Sequence, residues 1–523
     1  MAQQMHGQPM FILSEDSERT SGQDAQTANI TAGKAISEAV RTTLGPRGMD
    51  KMLVSDAGDV VITNDGATIL GEMDIEHPAA QMIVEVAETQ EEEVGDGTTT
   101  AAVLAGELLA KAESLLEDDV HPTTIVEGYH EAAQLAHEAI DGQVLDEELD
   151  AELLAQVAAT SMTGKGTGDV APEVLAETVV EAIERVQDED GVEREDVVVR
   201  TQTGASSSAT EFVEGVISEE EPVHDNMPSG VEDATVAVLD VEFEVREGNV
   251  DAEYDVTSVD QLNAAIEAEE GQLQAFADTL ADAGVDAAFT TEDVDDRAAA
   301  HLADAGILAF EGVDDDEARA IANATGASRA GTLDGLDDTD LGRAESVEVQ
   351  KFGDDEFAFV EGGADATSVT VFARGGTEHV TDELERALGD ALDVVTAALD
   401  SGGVVPGAGA TETAIADAIR DRAASITGRR QLAVDAFADA VDVLPRTLAE
   451  NTGMDPIDAL VDLRSRHDSD GRAGVISEGQ TGHVDDPVDA GVVDPAAVKH
   501  EAVESATESA TMIVRIDDVI SSD

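Results

Sequence analysis

Residues Gly95-Asp96-Gly97-Thr98-Thr99-Thr100 set one carboxylate and three hydroxyls on a glycine-rich turn. The segment that follows directly, 101–116, is predicted to be helical. A helix N-terminus exposes unpaired N–H groups and the positive end of the helix dipole, so it suits phosphate. A carboxylate beside a phosphate repels it unless a divalent cation sits between them. The chemistry implied is Mg²⁺ with Asp96 as ligand and the threonines gripping phosphate oxygens. The same residues also read as a plain turn with Thr98 as N-cap.

The elements that must position this turn are legible from periodicity. Residues 11 to 150 read as mostly helical. Ile30, Ala35, Ile36, Ala39 and Val40 fall near helical spacing, and Leu44-Gly45-Pro46 stops that helix. Two short strands, 51–54 and 60–63, follow around Gly58, then a turn at Asn64-Asp65-Gly66 and a helix over 79–92. Residues 151–218 mix helices (152–160, 171–186) with a loop, Thr163-Gly164-Lys165-Gly166, and a strand at 197–199.

Residues 219–368 alternate strands (236–239, 287–289, 307–310) with helices, the pattern of an α/β unit. One of those helices opens on a capping box, Ser258 with Gln261. It carries an apolar stripe of Leu262, Ile266, Leu273, Phe276 and Leu280 opposite an acidic face. Thr381 reads as the cap of a further helix bearing Leu384, Leu388, Leu392, Val395 and Leu399. After Val404-Val405-Pro406-Gly407, helices recur, with Leu432, Ala436, Phe437, Ala440, Val441 and Leu444 on one face. The layout is symmetric about the middle of the chain, which implies nested insertions.

At 523 residues the chain is too long for one core, and about two to four domains are expected. Acidic residues number 116 against 28 basic ones, a net charge of −88, and only six residues are lysine. Disorder is excluded for the bulk of the chain, because 42% of residues are hydrophobic and recur periodically. A salt-filled cytoplasm, that of an extreme halophile, explains the bias: at about 1 M salt the Debye length is about 3 Å and like-charge repulsion largely disappears. The charge opposes nucleic-acid binding.

The absence of cysteine excludes disulfides, thiolate metal sites and cysteine nucleophiles. His130 and His137, seven apart on one helix, read as surface residues. No leader-like segment opens the chain and no apolar run reaches about 18 residues, so no membrane association and a cytoplasmic location are expected. No Gly-x4-Gly-Lys-Ser/Thr occurs, which excludes a P-loop.

Four sets of residues carry a family resemblance from about Pro9 to Ile520. They are Leu44-Gly45-Pro46-Arg47-Gly48-Met49-Asp50-Lys51-Met52-Leu53; Ile62-Thr63-Asn64-Asp65-Gly66-Ala67-Thr68-Ile69-Leu70; the turn at 95–100; and Val493-Asp494-Pro495 with Arg515-Ile516-Asp517-Asp518-Val519-Ile520. The chain resembles group II chaperonin subunits of the archaeal thermosome kind. The resemblance implies a multidomain α/β and α chaperonin fold. A helical equatorial domain would be built from 1–150 and 403–523, and a small mixed intermediate domain from 151–218 and 369–402. An α/β apical domain would span 219–368, with a helical protrusion around 243–283 acting as built-in lid.

It also implies ATP with Mg²⁺ and K⁺, and roles residue by residue. Leu44, Gly45, Pro46 and Asn64 would line the nucleotide, and Gly97, Thr98, Thr99 and Thr100 would cradle phosphates beside the Mg²⁺ ligand Asp96. Asp65 and Asp390 would orient and deprotonate the attacking water, Lys165 would sense the γ-phosphate, and Asp494 would contact the ribose hydroxyls. Gly407, Ala408 and Gly409 would pack backbone against the nucleotide. Ala408 departs from the family pattern of three glycines: a negative φ would tolerate the methyl and a positive φ would strain it.

The function implied is ATP-driven folding of unfolded client proteins, in a double ring of about eight identical or paralogous subunits per ring. Two rivals stand beside it. One is a group I chaperonin, opposed by the insertion at 243–283 and by the absence of a Gly-Met repeat tail. The other is a structural or weakly hydrolysing subunit of a mixed ring, motivated by Ala408.

Overall fold

The computed structural model describes residues 17–522, apart from 56–57, 59, 188–190, 245–258, 334, 354, 363–366 and 480. The chain forms two compact units, Met1–Lys165 with Asp400–Asp523, and Gly166–Leu399.

The first unit begins with β1 (Ser17–Ser21) and α1 (Gln23–Val40). A hairpin of β2 (Lys51–Val54) and β3 (Val60–Thr63) follows, then α2 (Gly66–Gly71), α3 (Pro78–Val94), α4 (Thr98–Glu117), α5 (Pro122–Asp141) and α6 (Ala151–Met162). The second unit contains α7 (Pro172–Val186), β4 (Val197–Thr203), β5 (Glu211–Val213), β6 (Gly215–Ser218), β7 (Gly230–Leu239), α8 (Val259–Ala283), β8 (Ala287–Thr290), α9 (Asp296–Ala305), β9 (Leu308–Phe310), α10 (Asp315–Thr325), β10 (Gly342–Phe352), β11 (Asp355–Gly362) and β12 (Val369–Gly375). Helix α11 (Glu378–Ser401) closes it. The chain then re-enters the first unit through β13 (Val404–Pro406), α12 (Ala410–Ala423), α13 (Arg430–Val441), α14 (Val443–Asn451), α15 (Pro456–Asp470), β14 (Gly474–Glu478), β15 (Thr481–Asp485), β16 (Val493–Pro495), α16 (Ala496–Val514) and β17 (Asp518–Ser522). The chain ends meet: β1 and β17 pair antiparallel.

With only 2% aromatic residues, the first unit packs its helices through small side chains. Ala101, Ala102, Ala105 and Ala112 of α4 are fully buried, as are Ala506 and Ala510 of α16. A Cβ on Gly106 would stand 2.2 Å from Ser37, and one on Gly128 2.5 Å from Ala433, so backbones approach where a larger residue would force them apart. Tyr129 and Phe437 meet edge-on at 5.7 Å, and the Tyr129 hydroxyl donates to the Leu108 carbonyl at 2.8 Å.

In the second unit a six-stranded sheet has the order β6-β11-β10-β7-β8-β9. Strands β7, β8 and β9 are parallel and the others antiparallel. The parallel strands are buried runs, as expected where both faces are covered. Helices α8 and α9 share one core with the sheet, while α10 packs into another. A separate three-stranded sheet runs β4-β12-β5.

Several sequence expectations are corrected. Thr98 is not an N-cap: Gly97, in the left-handed region at φ 83°, caps α4, and Thr98 is its first residue. Thr381 lies inside α11, which starts at Glu378, and its hydroxyl turns back to the Glu378 carbonyl at 2.7 Å. Leu432 is exposed although its helical neighbours Phe437 and Val441 are buried, and Ile266 is exposed while Leu273 and Leu280 of the same stripe are buried. Periodicity finds a helix face but not how far its cover extends. Ser258 lies outside the described residues, as do the side chains of Gln261 and Leu262. His137 is no free surface residue: its ring stacks on His500 at 5.0 Å.

Candidate functional site

The turn at 95–100 sits at the base of a cleft of about 320 Å³ within the first unit. Two helices open on it, α4 and α12. Each is capped by a glycine in the left-handed conformation, Gly97 (φ 83°) and Gly409 (φ 81°), and neither cap supplies a side-chain acceptor. The Ala410 N–H of α12 turns back to the Gly407 carbonyl at 3.0 Å, and two positive dipole ends serve one cavity. Glycine is required at 97 for a second reason: a Cβ would stand 2.9 Å from both Gln90 Nε2 and Val498 Cγ1. The Gln90 amide holds the turn down, donating to the Asp96 carbonyl at 2.7 Å and the Val498 carbonyl at 3.2 Å.

Asp65 caps α2 by accepting from the Thr68 N–H at 2.6 Å, and its other oxygen accepts from the Thr98 hydroxyl at 3.1 Å. This fixes the 64–66 turn against the head of α4. Gly66 allows the approach, since a Cβ there would meet Thr99 Oγ1 at 2.6 Å. Asn64 donates to the Gly164 carbonyl at 2.5 Å, drawing in the loop that carries Lys165. Gly45, at φ 85°, packs against Leu448, and Asn451 donates to the Leu44 carbonyl at 2.9 Å. Arg47 reaches the Ser477 hydroxyl at 3.0 Å and the Gly479 carbonyl, linking this loop to the β14–β15 hairpin, whose Val475, Ile476 and Ser477 also line the cleft.

Asp96 keeps 30% of its side chain exposed and lies 3.9 Å from Lys165 Nζ. Burial pushes its carboxyl above the usual carboxylate range. Lys165 opposes that rise and Asp494 adds to it. Such a group gains from a cation. Among the described residues no three acidic or histidine side chains form a ready-made metal cage. A carboxylate beside two helix N-termini is a donor set suited to Mg²⁺ arriving with a polyphosphate, which brings most of its own ligands.

On the far wall, Asp494 pairs across β16 and β13 with Val405, and a Cβ on Gly407 would meet its Oδ2 at 3.1 Å. Ala408 has φ 55°, the strained alternative for a residue bearing a methyl. Its carbonyl accepts from the Val475 N–H at 2.8 Å, which anchors the β14–β15 hairpin.

The cleft thus gathers Leu44, Gly45, Pro46, Asn64, Asp65, Asp96, Gly97, Thr98, Thr99, Thr100, Lys165, Ala408, Gly409 and Asp494, with Gly407 packed against Asp494. Asp390 is not among its lining residues; it stands buried on α11 in the second unit. Sequence reading assigned nothing to three further residues of the cleft. Thr43 shares a hydroxyl contact of 3.2 Å with Thr99. Lys499 and Glu412 form an ion pair at 2.8 Å. The scarcity of lysine was a usable signal for Lys499; Glu412 is one acid among many.

The sequence model of the TCP-1/cpn60 chaperonin family matches residues 36–523. Thermosome subunit 3 of Haloferax volcanii is 67% identical over 522 residues, covering 99% of each chain. Thermosome subunit alpha of Halobacterium salinarum is 53% identical over 99% of this chain and 92% of its own. The thermosome subunit of Methanopyrus kandleri is 49% identical over 98% and 95%. The motifs of the cleft and a match along nearly the whole sequence agree: the chain belongs to the TCP-1/cpn60 chaperonin family.

Proposed function

We propose that this chain is an ATP-hydrolysing chaperonin subunit that folds enclosed client proteins. The observation that carries the reading is the pair of glycine-capped helix N-termini opening on one cleft beside the half-buried carboxylate of Asp96. Gly97, Thr98, Thr99 and Thr100 would bind phosphates, Asp96 would hold Mg²⁺, and Leu44, Gly45, Pro46, Asn64, Gly407, Ala408 and Gly409 would enclose the rest of the nucleotide. Bound magnesium would supply charge neutralisation on the phosphates. Asp65, whose carboxylate is already oriented by Thr98 and the head of α2, would position the attacking water with Asp390. The part given to Asp390 rests on the family resemblance, as do Lys165 as phosphate sensor and K⁺ as a further ion.

An equatorial domain of 1–150 and 403–523 is part of this reading; the first unit, 1–165 with 400–523, also takes in 151–165 and 400–402 of the proposed intermediate domain. The reading keeps an intermediate domain of 151–218 and 369–402 and an apical domain of 219–368 with a lid around 243–283. ATP-driven closure over an unfolded client, in a cytoplasmic double ring, completes the reading. Three Haloferax volcanii thermosome subunits are similar to this chain, at 67%, 54% and 48% identity, which favours a ring shared with paralogues. The positive φ of Ala408 favours a second reading, a weakly hydrolysing or structural subunit of such a mixed ring.

Calorimetry in multimolar KCl tests the site. ATP should bind with Mg²⁺ present, and Asp96→Asn should remove the Mg²⁺-dependent part of the affinity. Equal Mg²⁺ dependence in the variant would refute the assignment.

A further inference from the structure

Lysine is rare in this chain, and burial sorts the few that remain. Lys34, Lys111 and Lys351 leave 39%, 30% and 63% of their side chains exposed, whereas Lys165 and Lys499 leave 16% and 12%. These last two line the same cleft. Lys499 Nζ lies 2.8 Å from Asp494 Oδ2 and 2.8 Å from Glu412 Oε1. The three residues come from α16, β16 and the first turn of α12, so one ammonium ties together three elements of the cleft wall. A compact point charge suits a gap between two carboxylates better than a planar guanidinium does.

The two carboxylates are not equivalent. Glu412 is 6% exposed, and its Oε2 is buried without a hydrogen bond among the described residues. Asp494 is more open, at 15%. Its Oδ2 is held by Lys499 and lies close to Gly407, where an added Cβ would stand 3.1 Å from it. With Oδ2 engaged by Lys499, Oδ1 is the oxygen that would accept from a ligand in the cleft lined by Asp494. A carboxylate held in one rotamer is the group that recognises a sugar hydroxyl, because an analogue lacking that hydroxyl leaves the acceptor unpaired.

We propose that Lys499 is a positioning residue that clamps Asp494, presents its Oδ1 to the ribose hydroxyls and so sets a preference for ribonucleotides over deoxyribonucleotides. Glu412 serves as the second anchor of the clamp. The inference rests on the reading of the cleft as a nucleotide site.

The test is the dissociation constants of ATP, 2′-deoxy-ATP and 3′-deoxy-ATP, with Mg²⁺ in multimolar KCl, on assembled protein checked by sizing and thermal melting. In the wild type at least one deoxy analogue should bind about tenfold more weakly than ATP. Lys499→Met should weaken ATP toward the analogues and bring the ratio within about twofold of unity. Glu412→Gln, which keeps the Lys499–Asp494 pair, should retain the ratio. The double variant Glu412→Gln/Lys499→Met removes the buried charge that would otherwise be stranded, and it too should lose the ratio, even if Lys499→Met does not fold. A purely structural lysine would weaken all three nucleotides equally; an unchanged ratio in the double variant therefore overturns the proposal. A wild type that binds ATP and both analogues alike overturns this inference alone. A wild type that binds none of them overturns the reading of the cleft together with it.

Discussion

Two residues of the cleft carry stability costs. Ala408 holds a methyl in the left-handed region, which costs about 1 kcal/mol. Ala408→Gly removes that strain and adds chain entropy in the unfolded state, so it should leave the melting temperature unchanged or raised, where Ala→Gly elsewhere lowers it. A drop of several degrees would show that Ala408 is relaxed. Asp96 is the second. Its folded carboxyl titrates above its unfolded value, so the folded state holds the proton more tightly and loses stability as pH rises through that range. At neutral pH the ionised group is a net cost, and Asp96→Asn should melt higher than the wild type without nucleotide. The advantage should shrink as pH falls into the usual carboxylate range. A variant less stable than the wild type at neutral pH would contradict this.

At the scale of elements, the site depends on how α4 and α12 begin. Gly97→Ala would place a Cβ 2.9 Å from Gln90 Nε2 at a φ of 83°. It should cost about 1–2 kcal/mol and displace the 95–100 turn, weakening the proposed ATP binding. Unchanged affinity and melting would show that the turn adapts. The 95–100 motif was legible because its acid, glycines and hydroxyls are consecutive, and the 64–66 turn because turn residues follow a strand pattern. What sequence could not give is what joins distant segments. Glu412, Asp494 and Lys499 meet through separate elements, and His137 finds His500 across α5 and α16. Thr98 was misread as a cap because a left-handed glycine can end a loop without any side-chain bond. Ile266 and Leu432 show the same limit on faces: spacing marks them as apolar, but the neighbours that would cover them cannot be inferred from spacing.

For the whole molecule, a charge of −88 leaves most of the 116 acidic side chains without a cationic residue to oppose them. Screening by salt must replace pairing, so the melting temperature should climb from dilute buffer into multimolar KCl. Full stability at low salt would sink that account. The first unit is made from both ends of the chain, with the second unit inserted between them in sequence. The most direct test is ATP turnover by the assembled protein in multimolar KCl with Mg²⁺, beside Asp390→Ala. The account predicts that the wild type hydrolyses ATP, while the variant binds it and turns over about a hundredfold more slowly or less. Equal turnover in the two, or none in intact wild-type rings, would contradict it.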